Sequence, residues 1–137
     1  MAFLEKLRPQ IYAVLRIVVG LMFAQHGAQK LFGLLGGFGE DGGTAPLFSL
    51  MGLAGVIEFF GGLMIALGLL TGGAAFICSG LMAVAYFMAH FPQGFFPIQN
   101  RGELAVVYCF IFLFMASRGA GIWSLDSIWR KEKPTGS

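Results

Sequence analysis

Four apolar runs, separated by short breaks rich in glycine, proline or charge, dominate this chain and leave it short of polar surface. Only 12% of its 137 residues are charged and 57% are apolar, where a soluble domain carries roughly 25% charge. A soluble fold of this size buries only about two thirds of its surface and must coat the rest with polar side chains. A lipid-facing surface removes that conflict, so the chain reads as an all-α integral membrane protein. Its fifteen Phe exclude disorder, and a net charge of +2 does not suit a nucleic-acid partner.

Crossing the hydrocarbon core takes about 20 mostly apolar residues. The first predicted span covers residues 11–32, with Pro9 at or before its first turn, where a missing N–H costs little. Residues 34–46 carry glycines and an acidic pair and form a loop. The second and third spans cover residues 47–70 and 74–91, with Thr71-Gly72-Gly73 read as the tight turn that makes them antiparallel neighbours. The fourth apolar run, 104–116, is too short alone and spans only as residues 100–118, which draws Asn100, Arg101 and Glu103 to membrane depth. Residues 119–137 are a tail, and the whole chain is a single domain.

Loop charge sets orientation. Lys6 and Arg8 precede the first span, and Arg118, Arg130, Lys131 and Lys133 follow the fourth. The reading is a four-helix bundle with both termini cytoplasmic and Trp123 and Trp129 in the interfacial belt. The N-terminus is not expected to be cleaved as a signal peptide, because Arg16 interrupts its apolar stretch. Cys78 and Cys109, both inside apolar runs, read as packing residues. Small residues four apart, such as Gly20 and Ala24 or Gly62 and Ala66, let helix backbones approach closely.

Ionisable side chains within the spans are expensive in lipid and face the bundle interior. At about 100° per residue, Arg16, Gly20, Gly27 and Lys30 share one arc of the first helix, with His26 beside it. From the cytoplasmic side, Glu58, Glu103, His26 and His90 fall at depths of ~18–24 Å, at about 1.5 Å per residue. Four helices thus bring four ionisable groups into one slab. Arg16 is shallower, and either snorkels to the headgroups or pairs with Glu58, whose basic partner is expected to be His26 or Arg16. Lys30 and Arg101 are either interfacial anchors or ligand contacts. A bis-His haem site and a metal site both fit poorly, since carboxylates lie nearer the two His and two cations stand close by. A hydrogen-bonded cavity for a quinone, an anion or a proton relay fits the mixed charge better.

Arg16-x3-Gly20 leading to His26-Gly27-x2-Lys30-Leu31 is similar to the opening helix of the DoxX family. Glu58 with Gly61-Gly62 and Gly68 resembles its second helix. Asn100-x-Gly102-Glu103, Gly119-Ala120-Gly121 and Ser124-Leu125-Asp126 resemble its C-terminal third. The resemblance implies a small four-helix protein of the bacterial inner membrane, related to a thiosulfate:quinone oxidoreductase subunit. No catalytic set transfers with it, so the site residues rest on depth. His26, Glu58 and Glu103 are expected to handle protons. Arg16, Lys30, Tyr86, His90 and Asn100 are expected to hold a ligand, with no metal. The sequence supplies no electron carrier of its own, so redox chemistry here requires a bound quinone or a redox-enzyme partner. The alternative is a non-enzymatic membrane partner or small-molecule carrier whose charges are structural ion pairs.

Overall fold

The computed structural model describes residues 1–130, whose regular elements are all helices, with no strand among them. A short helix α1 (Ala2–Lys6) leads into α2 (Arg8–Phe32). α3 (Leu50–Leu67) and α4 (Thr71–Gln93) follow. Then come α5 (Pro97–Asn100), α6 (Glu103–Arg118) and α7 (Leu125–Arg130). Three of these, α2, α3 and α4, are long and apolar enough to cross a membrane. The 16 residues of α6 rise about 24 Å at 1.5 Å each, short of the ~30 Å core. The expected run from Asn100 into this helix is broken, because Arg101 takes a left-handed conformation with φ of 62°. Lys131 and Lys133, in the last part of the expected tail, lie outside the described residues.

Two close helix pairs build the bundle. Along α2 and α3, glycines replace side chains with backbone contact. A Cβ on Gly20 would meet the Ala66 nitrogen at 2.6 Å, and one on Gly62 would meet the Ala24 nitrogen at 2.6 Å. Gly27 is tighter still, at 2.3 Å from the Phe59 nitrogen. Along α4 and α6, Ser79 donates its hydroxyl to the Cys109 carbonyl at 2.8 Å. The pairs meet through Phe23, Tyr108 and Phe112, whose rings pack edge-on or stacked at 4.7–5.5 Å. Cys78 and Cys109 are both free thiols, Cys78 fully buried.

The end of the bundle that carries the termini is locked by polar contacts. Arg16 is fully buried, and its guanidinium donates to the carbonyls of Ile65 and Ala66 at 2.8 Å each. These close the C-terminus of α3, the negative end of its dipole. The same side chain reaches the carbonyls of Ile122 and Trp123 at 3.2 and 2.7 Å. Asp126 of α7 accepts from the amides of Leu70 and Thr71 at 2.8 and 3.0 Å, capping α4 from a distant part of the chain. The α3–α4 turn therefore lies at Gly68–Leu70 and not at the expected Thr71-Gly72-Gly73, which begins α4. Gly68 has φ of +70°, and a Cβ there would strike Ser124 at 2.1 Å. This turn needs glycine for both reasons.

Candidate functional site

Between the two helix pairs, toward the end opposite the termini, is a cavity of about 330 Å³ lined from all four long helices. Ligand pockets start at roughly this size. Chain direction orders its walls. Lys30, Met51, His90 and Arg101 mark the outer end, and Phe23, Glu58, Met82 and Tyr108 mark the inner one. From Leu104 to Tyr108 the chain descends about 6 Å at 1.5 Å per residue. The walls are mostly apolar and the polar groups few, as in small-molecule sites generally.

Two irregular turns aim side chains into this space. Ile57–Gly61 and Tyr86–His90 are π-helical turns within α3 and α4, and they carry Glu58 and His90. An extra residue in a turn rotates the side chains after it, and such turns recur at functional sites. Glu58 is 5% exposed. Lys30 donates to both its oxygens, at 2.7 and 2.6 Å. The partner expected from depth was His26 or Arg16. Lys30 takes that place because it enters one turn further along α2, over Gly55, where a Cβ would lie 3.0 Å from the lysine stem.

His26 lines the cavity beside Tyr108, edge-on at 6.1 Å. At the outer end, His90 Nδ1 lies 3.0 Å from the Asn100 carbonyl. Donation there leaves Nε2 of the neutral ring as an acceptor. Asn100 is fully buried and spent on the loop. Its amide nitrogen donates to the Tyr86 hydroxyl and the Gly94 carbonyl, and its oxygen accepts from Gly102. The Tyr86 hydroxyl in turn donates to the Phe95 carbonyl at 2.8 Å.

Of the eight residues singled out by sequence, His26, Lys30, Glu58 and His90 line the cavity. Tyr86 and Asn100 are not in its wall but brace its rim, holding the loop before α6. Arg16 is in the lock at the opposite end, with four carbonyl partners. Glu103 is exposed and is not part of the cavity wall, because the left-handed Arg101 turns the helix start and points the first residue of α6 away. Sequence reasoning missed Tyr108, which is 4% exposed and has a hydroxyl with no hydrogen-bond partner among the described residues. It lies one turn after Leu104, on the same face of α6. Read as one more aromatic in an apolar run, it gave no separate signal. Among the described residues no three His, Cys, Asp or Glu side chains cluster closely enough to hold a metal ion.

The DoxX family model matches residues 11–91. A protein of Haemophilus influenzae described as uncharacterized is 45% identical over 136 residues, covering 94% of this chain and 98% of its own. A second Haemophilus influenzae protein with the same description is 31% identical over 74 residues, 54% of this chain and 49% of its own. No solved structure matches the chain.

Proposed function

This chain belongs to the DoxX family of membrane proteins, and from that premise we propose that it is a redox-associated subunit, quinone- or thiol-linked, that holds its ligand in the cavity between the helix pairs. One observation carries the reading. His26, Lys30, Glu58 and His90 come from three different helices, yet they share one mostly apolar cavity within the bundle. An apolar chamber with a few convergent polar groups suits a lipid-soluble ring compound better than a hydrated metabolite. His26 and the Lys30–Glu58 pair stand where protons would be exchanged with such a ligand. Electrons would come from a partner enzyme or from the ligand itself.

The proposed setting is the bacterial inner membrane, with α6 as a fourth span and both termini cytoplasmic. Lys6, Arg8, Arg118 and Arg130 all fall at the terminal end of the bundle, which supports that orientation. Arg118 packs its guanidinium over the Tyr12 ring at 4.7 Å there. The second reading is a non-enzymatic membrane partner or carrier. The completeness of the Lys30–Glu58 pair favours it, since each charge already satisfies the other.

Organic extraction of the protein purified in mild detergent tests the first reading. Wild type should carry a quinone near one per chain, and His26→Ala should carry far less. Protein free of quinone, with full function in cells, would leave the second reading ahead.

A further inference from the structure

The inner end of the cavity holds a hydrogen-bond donor with nothing to donate to. Tyr108 is 4% exposed, it forms part of the wall, and its hydroxyl is closed to solvent and without a partner among the described residues. A buried hydroxyl left unpaired loses its hydration with nothing in return, so one is rarely kept without a partner of some kind. Its ring is also fixed in place. Phe23 and Phe112 pack on it at 5.1 and 5.5 Å, and His26 stands edge-on to it. The donor is therefore held in position before any ligand arrives, which limits the entropy lost on binding.

The charges nearby constrain what it could receive. Glu58 and Lys30 neutralise one another at 2.6 Å, so the inner end has no cation free to balance an anion. An uncompensated charge taken that deep would be expensive. A neutral oxygen acceptor is not. At the other end, Met51 of α3 and Leu104 of α6 both line the cavity and are 42% and 49% exposed. Both are apolar and both stand in the first turn of their helices, where the bundle surface would meet lipid and not water.

We propose that the cavity takes a neutral, carbonyl-bearing amphiphile head first, with Tyr108 donating to the carbonyl oxygen and the apolar tail leaving between Met51 and Leu104 into the bilayer. Tyr108 is then a positioning residue for the head group, and loading is lateral, from the lipid phase. The proposal rests on the reading of this cavity as a ligand site and is independent of the redox assignment.

Equilibrium binding to the full chain in lipid nanodiscs tests it with three probes of equal tail length. These are a decyl-substituted benzoquinone, a redox-inert decyl phenyl ketone, and decanoate. Both carbonyl probes should bind, decanoate at least about tenfold more weakly. Tyr108→Phe, which keeps the ring and its packing, should weaken both carbonyl probes by about tenfold, the ratio set by one hydrogen bond of ordinary strength. Met51→Trp with Leu104→Trp should slow loading from the bilayer several-fold, with circular dichroism unchanged. If the ketone binds through Tyr108 while the benzoquinone neither binds nor is reduced, the redox reading fails and this one stands. Carbonyl binding indifferent to Tyr108→Phe, no carbonyl binding at all, or preferred binding of decanoate would each overturn it.

Discussion

Lys30 and Glu58 lie on neighbouring helices and meet with both carboxylate oxygens within 2.7 Å of the lysine nitrogen. The two ends of this pair are not equivalent. The Glu58 side chain is 6% exposed and that of Lys30 17%, and a lysine stem can extend toward the interface while a carboxylate two turns inside cannot. Lys30→Ala is therefore expected to strand a buried charge and cost about 3 kcal/mol or more. Glu58→Gln should cost clearly less, since Lys30 is free to swing outward. Thermal unfolding of the two variants in the same detergent measures this. Equal losses would show that Lys30 has no route to water.

Arg16 supports the opposite end of the bundle by a different geometry. Its planar fork reaches carbonyls on α3 and on the segment before α7 at once, a reach that a single ammonium lacks. Arg16→Lys should lose at least about 2 kcal/mol of stability, because hydrogen bonds from a charged donor are each worth about 1.5–3 kcal/mol. Limited proteolysis offers a second measure. Cleavage after Arg118 should accelerate in Arg16→Lys and not in Lys30→Ala.

How much of this was legible in sequence follows from which forces act locally. Three long apolar helices came from apolar runs, and the close approach of α2 and α3 from small residues four apart, signals that lie within a few residues of one another. The co-location of His26, Glu58 and His90 came from counting residues along helices of known rise. Partner choice did not, because Lys30, His26 and Arg16 differ by which turn of α2 they occupy against Gly55 and Gly62, and that depends on crossing geometry. Glu103 was misplaced because one left-handed residue, Arg101, resets the helix after it. The Asp126 cap joins residues 55 apart in sequence, and no local pattern announces such a contact.

Asp126 makes the terminal lock sensitive to acid. Partial burial raises its carboxyl, but the amides of Thr71 and Leu70, with Arg130 nearby, outweigh this and hold it below the ordinary aspartate value. A group with a depressed folded pKa stabilises the fold at pH above its unfolded value and loses that contribution as pH falls through the folded one. Wild type and Asp126→Asn should thus differ in stability at neutral pH and converge below about pH 4. Unfolding of both across that range checks it. A gap that stays constant with pH would mean that the ionised form is not what caps α4.

Gly27 and Gly80 separate helix contact from helix propensity. A Cβ on Gly27 would lie 2.3 Å from the Phe59 nitrogen, whereas one on Gly80 meets nothing within 4 Å. Gly27→Ala must push α2 from α3 and should cost about 1–3 kcal/mol or prevent folding. Gly80→Ala should be neutral or stabilising by up to about 1 kcal/mol, as alanine is the better helix former. Expression and melting temperature of the pair give the answer, and similar losses in both would remove the backbone-contact account of the α2–α3 pair.

Glu58→Gln and His26→Ala decide between a functional site and a structural ion pair. Both residues line the cavity, yet His26 has no side-chain hydrogen-bond partner among the described residues to strand, and Glu58→Gln keeps shape while removing charge. If the cavity works by exchanging protons with its ligand, both variants should fold with melting temperatures near wild type and fail to complement a deletion strain. A purely structural pair instead predicts that Glu58→Gln still complements, with at most the modest loss of stability that remains once Lys30 swings outward. His26→Ala would then be silent in both assays. Melting temperature beside complementation, read on the same two variants, distinguishes the outcomes, and stable variants with full complementation would sink the proton-handling role of both residues.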